Sequence, residues 1–142
     1  MKTKIICKVW GHEQIMHNDQ SYCAKLLVLN RGCCCSIHFH ALKNESFLME
    51  SGLMLLEIWG KLPKNYGEKH IANVRISEPK RYILSSLHGE GYSYPHFFII
   101  EQRVPHRFTG LSGTCRFYEA SSQDFADDSI RVTKSRGIDL LQ

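Results

Sequence analysis

Residues 32–52, GCCCSIHFHALKNESFLMESG, place His38 and His40 one residue apart and Glu45 a short turn later. On a strand the two histidines project from one face, with Ile37 and Phe39 on the other. Two imidazoles on one strand face can meet a single divalent ion. Glu45, beyond the ALKN turn, can return a carboxylate to the same point. Nitrogen and oxygen donors in this mix suit Zn, Mn, Fe or Ni. Short His-x-His strings also arise by chance, so these residues alone leave open a plain polar strand face. Lys43 lies between the candidate ligands, where its ammonium either reaches a substrate oxygen or is a solvated turn lysine. In CRFYE, Cys115, Phe117 and Glu119 alternate onto one face. Glu119 is a candidate general base if that face is interior and a surface carboxylate if it is not. Arg131 suits a phosphate or carboxylate on a substrate, or equally a structural ion pair with Asp127 or Asp128.

The elements that must position these groups read as short strands separated by turns. AKLLVLN (24–30) is a strand, Arg31-Gly32 a turn, and CCCSIHFH (33–40) the next strand. SFLME and LMLLEIWG are two strands joined at Ser51-Gly52. A polar connection with Pro63 and Gly67 as breakers follows. IANVRI, RYILSSL and FFIIEQRV are further strands, HGEGYSYP is a loop in which Gly89 and Gly91 serve a turn, and GLSGT is a hairpin-like turn before CRFYEAS. No segment carries a sustained 3.6-residue apolar period with caps at both ends. Many short strands at regular spacing predict an all-β sandwich or barrel, and the absence of repeats and linkers predicts one domain over residues 1–142. DFADD reads as a solvated loop. His12, His17, His70, His88 and His96 lack ligand spacing and read as surface or loop residues. Trp10 and Trp59 read as core or dimer-interface residues rather than sugar platforms.

A chain of 142 residues with 43% hydrophobic and 23% charged residues can bury a core without staples. The formal charge of +4 is mild and its basic residues are scattered, which argues against a nucleic-acid partner. MKTKIICKVWGHE has too short an apolar stretch for a secretion leader, and no run reaches membrane-span length. The six cysteines include three in a row, a poor disulfide framework. A reducing, cytoplasmic location with free structural thiols is the simplest expectation.

The flanking glycines sharpen the metal reading. Gly32, His38, His40, Glu45 and Gly52 match every spaced position of the first motif of the cupin superfamily. RVPHRFTG resembles the second motif, although the usual glycine between Pro105 and His106 is absent and Gly110 stands where Asn is common. KVWGHE (8–13), with HFHALKNE and the closing TCRFYEASSQDFADDSIRV (114–132), is similar to the sugar-isomerase-type cupins, such as type II mannose-6-phosphate isomerases and D-lyxose isomerases. The resemblance spans nearly the whole chain except about residues 61–100. It implies a double-stranded β-helix (jelly roll) with a divalent metal in the barrel mouth. His38, His40, Glu45 and His106 would be the ligands and Glu119 would lie inside.

It also implies a homodimer and a small sugar or sugar phosphate as substrate. The expected reaction is aldose–ketose isomerisation through a metal-stabilised enediolate, with Glu119 as base, Lys43 assisting at a substrate oxygen and Arg131 binding substrate. The alternatives are a non-catalytic, metal-dependent sugar-binding module and, more remotely, a metal-free isomer-binding role or a dioxygenase. Ile37 and Phe39, pointing away from the metal, need a cover, which an N-terminal strand or a partner subunit would supply.

Overall fold

The computed structural model describes residues 3–86, 88–89 and 92–137. In chain order its elements are β1 (Lys4–Lys8), β2 (Gly11–Asn18), β3 (Cys23–Asn30), β4 (His38–His40), β5 (Glu45–Ser51), β6 (Leu53–Ile58), α1 (Glu68–Ile76), β7 (Lys80–Ser85), β8 (His88–Gly89), β9 (Tyr92–Ser93), β10 (Phe97–Ile100), β11 (His106–Gly110), β12 (Thr114–Ser121) and β13 (Ser129–Arg131). Two antiparallel sheets face each other, ordered β1-β2-β3-β12-β5-β10 and β13-β4-β11-β6-β7, with β8-β9 as a small separate ribbon. This is the expected jelly roll. Among the described residues no helix is long and apolar enough to cross a membrane.

Alternation builds the interior. On β12, Cys115, Phe117 and Glu119 are buried, while Arg116, Tyr118 and Ala120 are not. Phe47, Phe108 and Phe117 meet edge to face, with centroids 5.1–5.9 Å apart, among Leu27, Leu29, Met54 and Leu56. Each such ring or aliphatic chain removed from water contributes about 1.5–3 kcal/mol. Trp10 stands edge-on to Phe108 at 5.4 Å, a core residue of its own chain.

The turns read from sequence as Ser51-Gly52 and GLSGT both carry the chain from one sheet to the other. The latter is therefore not a hairpin, since β11 and β12 pair in different sheets. Gly52 has φ +81°, and a Cβ there would lie 2.5 Å from the Thr114 carbonyl oxygen, so the crossing requires glycine. The expected strand 33–40 is shorter than its composition suggested. Only His38–His40 pair as a strand, and Cys34 is pinned by isolated bridges to Thr109 and Arg136. That irregular path buries Cys33, Cys34 and Cys35 together. All six cysteines are free thiols, five of them buried, and burial pushes Cys115 up to about 12.

The largest departure is IANVRI, which belongs to a helix and not a strand. α1 has no apolar stripe to betray it, because Val74 is its one buried residue. Tertiary contacts hold it instead. Val74 packs with Trp59, Leu62, Ile37, Phe39 and Val132, Trp59 Nε1 donates to the Ser77 carbonyl at 3.0 Å, and Arg75 Nε donates to the Val132 carbonyl at 3.2 Å. The face of Ile37 and Phe39 is thus covered by the chain's own 59–77 segment, and neither an N-terminal strand nor a partner is needed there. HGEGYSYP forms β8-β9, and the turn at 90–91 lies outside the described residues, as does the His88 side chain.

Candidate metal centre

Strand β4 presents His38 and His40 to the sheet interior. β11 places His106 directly opposite His38 in antiparallel register, and opposed residues share a face. The ring centroids of His38 lie 4.4 Å from His106 and 5.3 Å from His40. One nitrogen from each of the three rings lies within 4.8 Å of the others, so His38, His40 and His106 form a group that can hold a metal ion.

The second nitrogens set which atoms point inward. His38 Nδ1 faces the Ser36 carbonyl at 2.8 Å and His106 Nδ1 the Val104 carbonyl at 2.9 Å. A ring nitrogen against a carbonyl carries a proton, so in a neutral ring the Nε2 lone pair is the one left for a ligand. Burial, with the neighbouring histidines, holds His38 well below the usual range. Burial above all takes His40 down to about 4. Neutral imidazole is the ligating form.

Glu45, at the start of β5 on the facing sheet, aims Oε1 at the same place. It lies 3.0 Å from His106 Nε2 and 3.7 Å from His40 Nε2. Neither Oε1 nor His106 Nε2 has a hydrogen-bond partner within the protein, although both are buried. A buried carboxylate oxygen and imidazole nitrogen 3.0 Å apart need a proton or a cation to bridge them. Burial works to raise the Glu45 carboxyl, but His106 and Lys43 beside it hold it well below the usual range, keeping it anionic. The donor set fits a divalent ion.

Lys43 is buried, not a solvated turn lysine. Its Nζ lies 2.8 Å from Glu119 Oε1, 3.2 Å from Asp124 Oδ1 and 3.4 Å from Glu45 Oε2. Burial pulls its pKa down, but Glu119, Glu45 and Asp124 outweigh that and raise it above the usual lysine value, so it stays an ammonium. Glu119 lies inside, 4% exposed, and also accepts from Ser121 Oγ at 3.2 Å. Burial pushes its pKa up, against the pull of Lys43. Arg131 is exposed on β13 and lines the same cleft, of about 1040 Å³. It makes no ion pair with Asp127 or Asp128.

The acidic run DFADD is a solvated loop only in part, and sequence reasoning missed that two of its acids contact the site. Asp124 accepts from Lys25 Nζ at 2.6 Å as well as from Lys43. Asp128, 6% exposed, accepts the Leu42 N–H at 2.9 Å and the Lys43 N–H at 3.1 Å, and its Oδ2 lies 3.9 Å from His40 Nδ1. It staples the turn that separates His40 from Glu45. Nothing local distinguishes these acids from Asp127, which is exposed. Their partners come from 81 and 85 residues away.

No family model matches this sequence, and no curated protein is similar to it by sequence. Solved structures are similar in fold. CapF, the capsular polysaccharide assembling protein from Staphylococcus aureus, matches at 15% identity and TM-score 0.69 over 94% of this chain and 32% of its own. KdgF from Halomonas sp. matches at 13% and 0.59 over 89% of this chain and 90% of its own. Oxalate decarboxylase OxdC from Bacillus subtilis matches at 12% and 0.64 over 91% of this chain and 30% of its own. The chain thus spans about a third of the length of the CapF and decarboxylase chains. These are cupin-fold proteins, and the likeness shows that this chain has the cupin fold.

Proposed function

We propose that this protein is a metal-dependent enzyme acting on a small sugar or sugar phosphate, with aldose–ketose isomerisation as its reaction. The observation that carries it is the group of His38, His40 and His106 that can hold a metal ion, with the buried, unpartnered Oε1 of Glu45 meeting His106 and His40, beside the Lys43–Glu119 pair. The saccharide part rests on the motif resemblance and on the capsular polysaccharide assembling protein among the similar structures.

A divalent ion held by His38, His40, His106 and Glu45 would supply a Lewis acid for the carbonyl of an open-chain sugar and for the charge of its enediolate. The chain's own residues do the rest. Glu119 takes the proton from the carbon beside the carbonyl and returns it to the adjacent carbon. Its Oε1 is held by Lys43 and Ser121, which leaves the second carboxylate oxygen to face substrate. Burial raises its pKa, which strengthens it as a base. Lys43, kept charged by three carboxylates, orients Glu119 and donates to a substrate oxygen. The same reading carries a homodimer.

One observation favours a sugar-binding module without catalysis. The 2.8 Å ion pair already occupies Glu119. Solvent deuterium separates the two readings. In the isomerase, label enters at the sugar carbon, and Glu119→Gln keeps the fold and the metal while turnover falls by about 10²–10⁴-fold. Tight sugar binding with no label in the wild type identifies the module. Full turnover by Glu119→Gln assigns the base to another residue.

A further inference from the structure

Strand β13 is the edge of the five-stranded sheet and pairs with β4 alone. In that register Ser129 stands opposite His40, Ile130 opposite Phe39 and Arg131 opposite His38. Opposed residues of an antiparallel pair project from the same face. Ile130 accordingly packs with Phe39 in the second apolar cluster. Ser129 and Arg131 go the other way, and both line the cleft that His38 and His40 also line.

Among the described residues, the carboxylates that line the cleft with Arg131, and Asp128 beside it, are committed elsewhere. Asp128 is bonded to the backbone of Leu42 and Lys43, Asp124 to Lys25 and Lys43, and Glu45 faces the imidazoles. Glu13 sits between Lys8 and Lys25. Among the described residues the Arg131 side chain has no hydrogen bond or ion pair, and neither does that of Lys134, which is exposed and lines the same mouth. The cleft therefore has an interior whose charges are mutually paired and a mouth carrying unpaired cations. A guanidinium with a free planar fork matches a carboxylate or phosphate in two parallel hydrogen bonds, which a neutral hydroxyl group cannot equal.

We propose that the cleft takes a substrate bearing a carboxylate or phosphate, whose anionic end is held by Arg131, with Lys134 and the Ser129 hydroxyl beside it, while its reacting oxygens reach the three histidines. This rests on the reading of those histidines as the reacting centre and adds the substrate's charge and its orientation. A neutral sugar would leave the mouth unmatched.

Calorimetric titration of metal-stripped protein at low ionic strength, with inorganic phosphate, acetate and glycerol as probes, tests the anion site apart from the metal. Wild type is expected to bind one of the two anions saturably and glycerol not at all. Arg131→Ala should lose about tenfold or more in affinity, as expected for one charge-assisted contact, and Arg131→Lys should recover part of it. Preference for phosphate identifies a phosphorylated substrate, and preference for acetate a sugar acid or similar carboxylate. Equal binding by wild type and Arg131→Ala, or no saturable binding of either anion, overturns the proposal. Because Arg131 is exposed and unbonded, unchanged circular dichroism is expected of both variants. Zinc titration of the same samples is read separately. Anion binding without zinc binding sinks the metal reading and leaves the anion site, whereas zinc binding without anion binding sinks the anion site alone.

Discussion

Lys43 shows how burial gives a candidate substrate-binding residue a structural task as well. Three carboxylates, Glu45, Glu119 and Asp124, converge on its ammonium within 3.4 Å. Removing it leaves buried negative charges unopposed, and breaking such a pair costs about 3–5 kcal/mol. Lys43→Ala is thus expected to lower the stability of the metal-free protein by that order, read as a drop in the urea midpoint. A lysine that only touched substrate would leave the midpoint unchanged. His40 sets a pH dependence of the opposite origin. Its folded pKa of about 4 lies below the ordinary 6.5, because burial disfavours the imidazolium. The unfolded chain therefore binds the proton first, and stability falls as pH drops from 6.5 toward 4. The loss attributable to His40 is on the order of 3 kcal/mol in metal-free protein. His40→Gln should flatten the corresponding stretch of the melting-temperature profile. An unchanged profile would assign the acid transition to other groups.

The candidate ligands sit on three elements, and the geometry between them depends on one short turn. Residues 41–44 carry the chain from β4 in one sheet to β5 in the other, and Asp128 holds that turn by two backbone N–H groups and by its own carbonyl, which accepts the Ala41 N–H at 3.3 Å. Asp128→Ala leaves the backbone carbonyl contact and frees the two amides. We expect metal affinity to weaken by about 10–100-fold, the range for outer-shell partners of metal ligands, with circular dichroism unchanged. Zinc affinity equal to wild type would show that the turn is held by its neighbours alone. Helix α1 makes the same point for apolar contacts. It stands behind Phe39, between the two ligand histidines, and packs on Trp59 and Leu62 rather than on solvent.

At the scale of the whole molecule, the two sheets contribute different chemistry to one cleft. Strand β4 supplies the imidazoles of His38 and His40, and the β3-β12-β5 surface supplies the charged set of Lys25, Glu119 and Glu45. The expectation of a homodimer no longer draws on Ile37 and Phe39, which the 59–77 segment covers. It now rests on the resemblance, and sedimentation at micromolar concentration should give twice the 16.4 kDa chain mass. A single species at the chain mass would remove it.

Local pattern was enough for whatever depends on neighbours a few residues apart. Short apolar runs between turns marked β3, β5 and β6, and alternation marked β12 and the His-x-His face of His38 and His40, because a period of two is a property of the strand itself. The glycine of the 51–52 crossing was legible for the same reason: its positive φ is a local demand. His106 was reached only through motif resemblance, and its lone pair's direction depends on the Val104 carbonyl. Helix α1 was invisible because one buried valine and hydrogen bonds to distant residues hold it, not an apolar stripe of its own. Asp124 and Asp128 were read as solvated because an acidic run in a loop usually is, and only the folding of β12 and β13 against the 41–44 turn brings them to Lys43 and Leu42. The inward or outward sense of Glu119 and Arg131 was likewise undetermined by residue type. Strand register decided it, by setting Arg131 across from His38 and Glu119 within reach of Lys43.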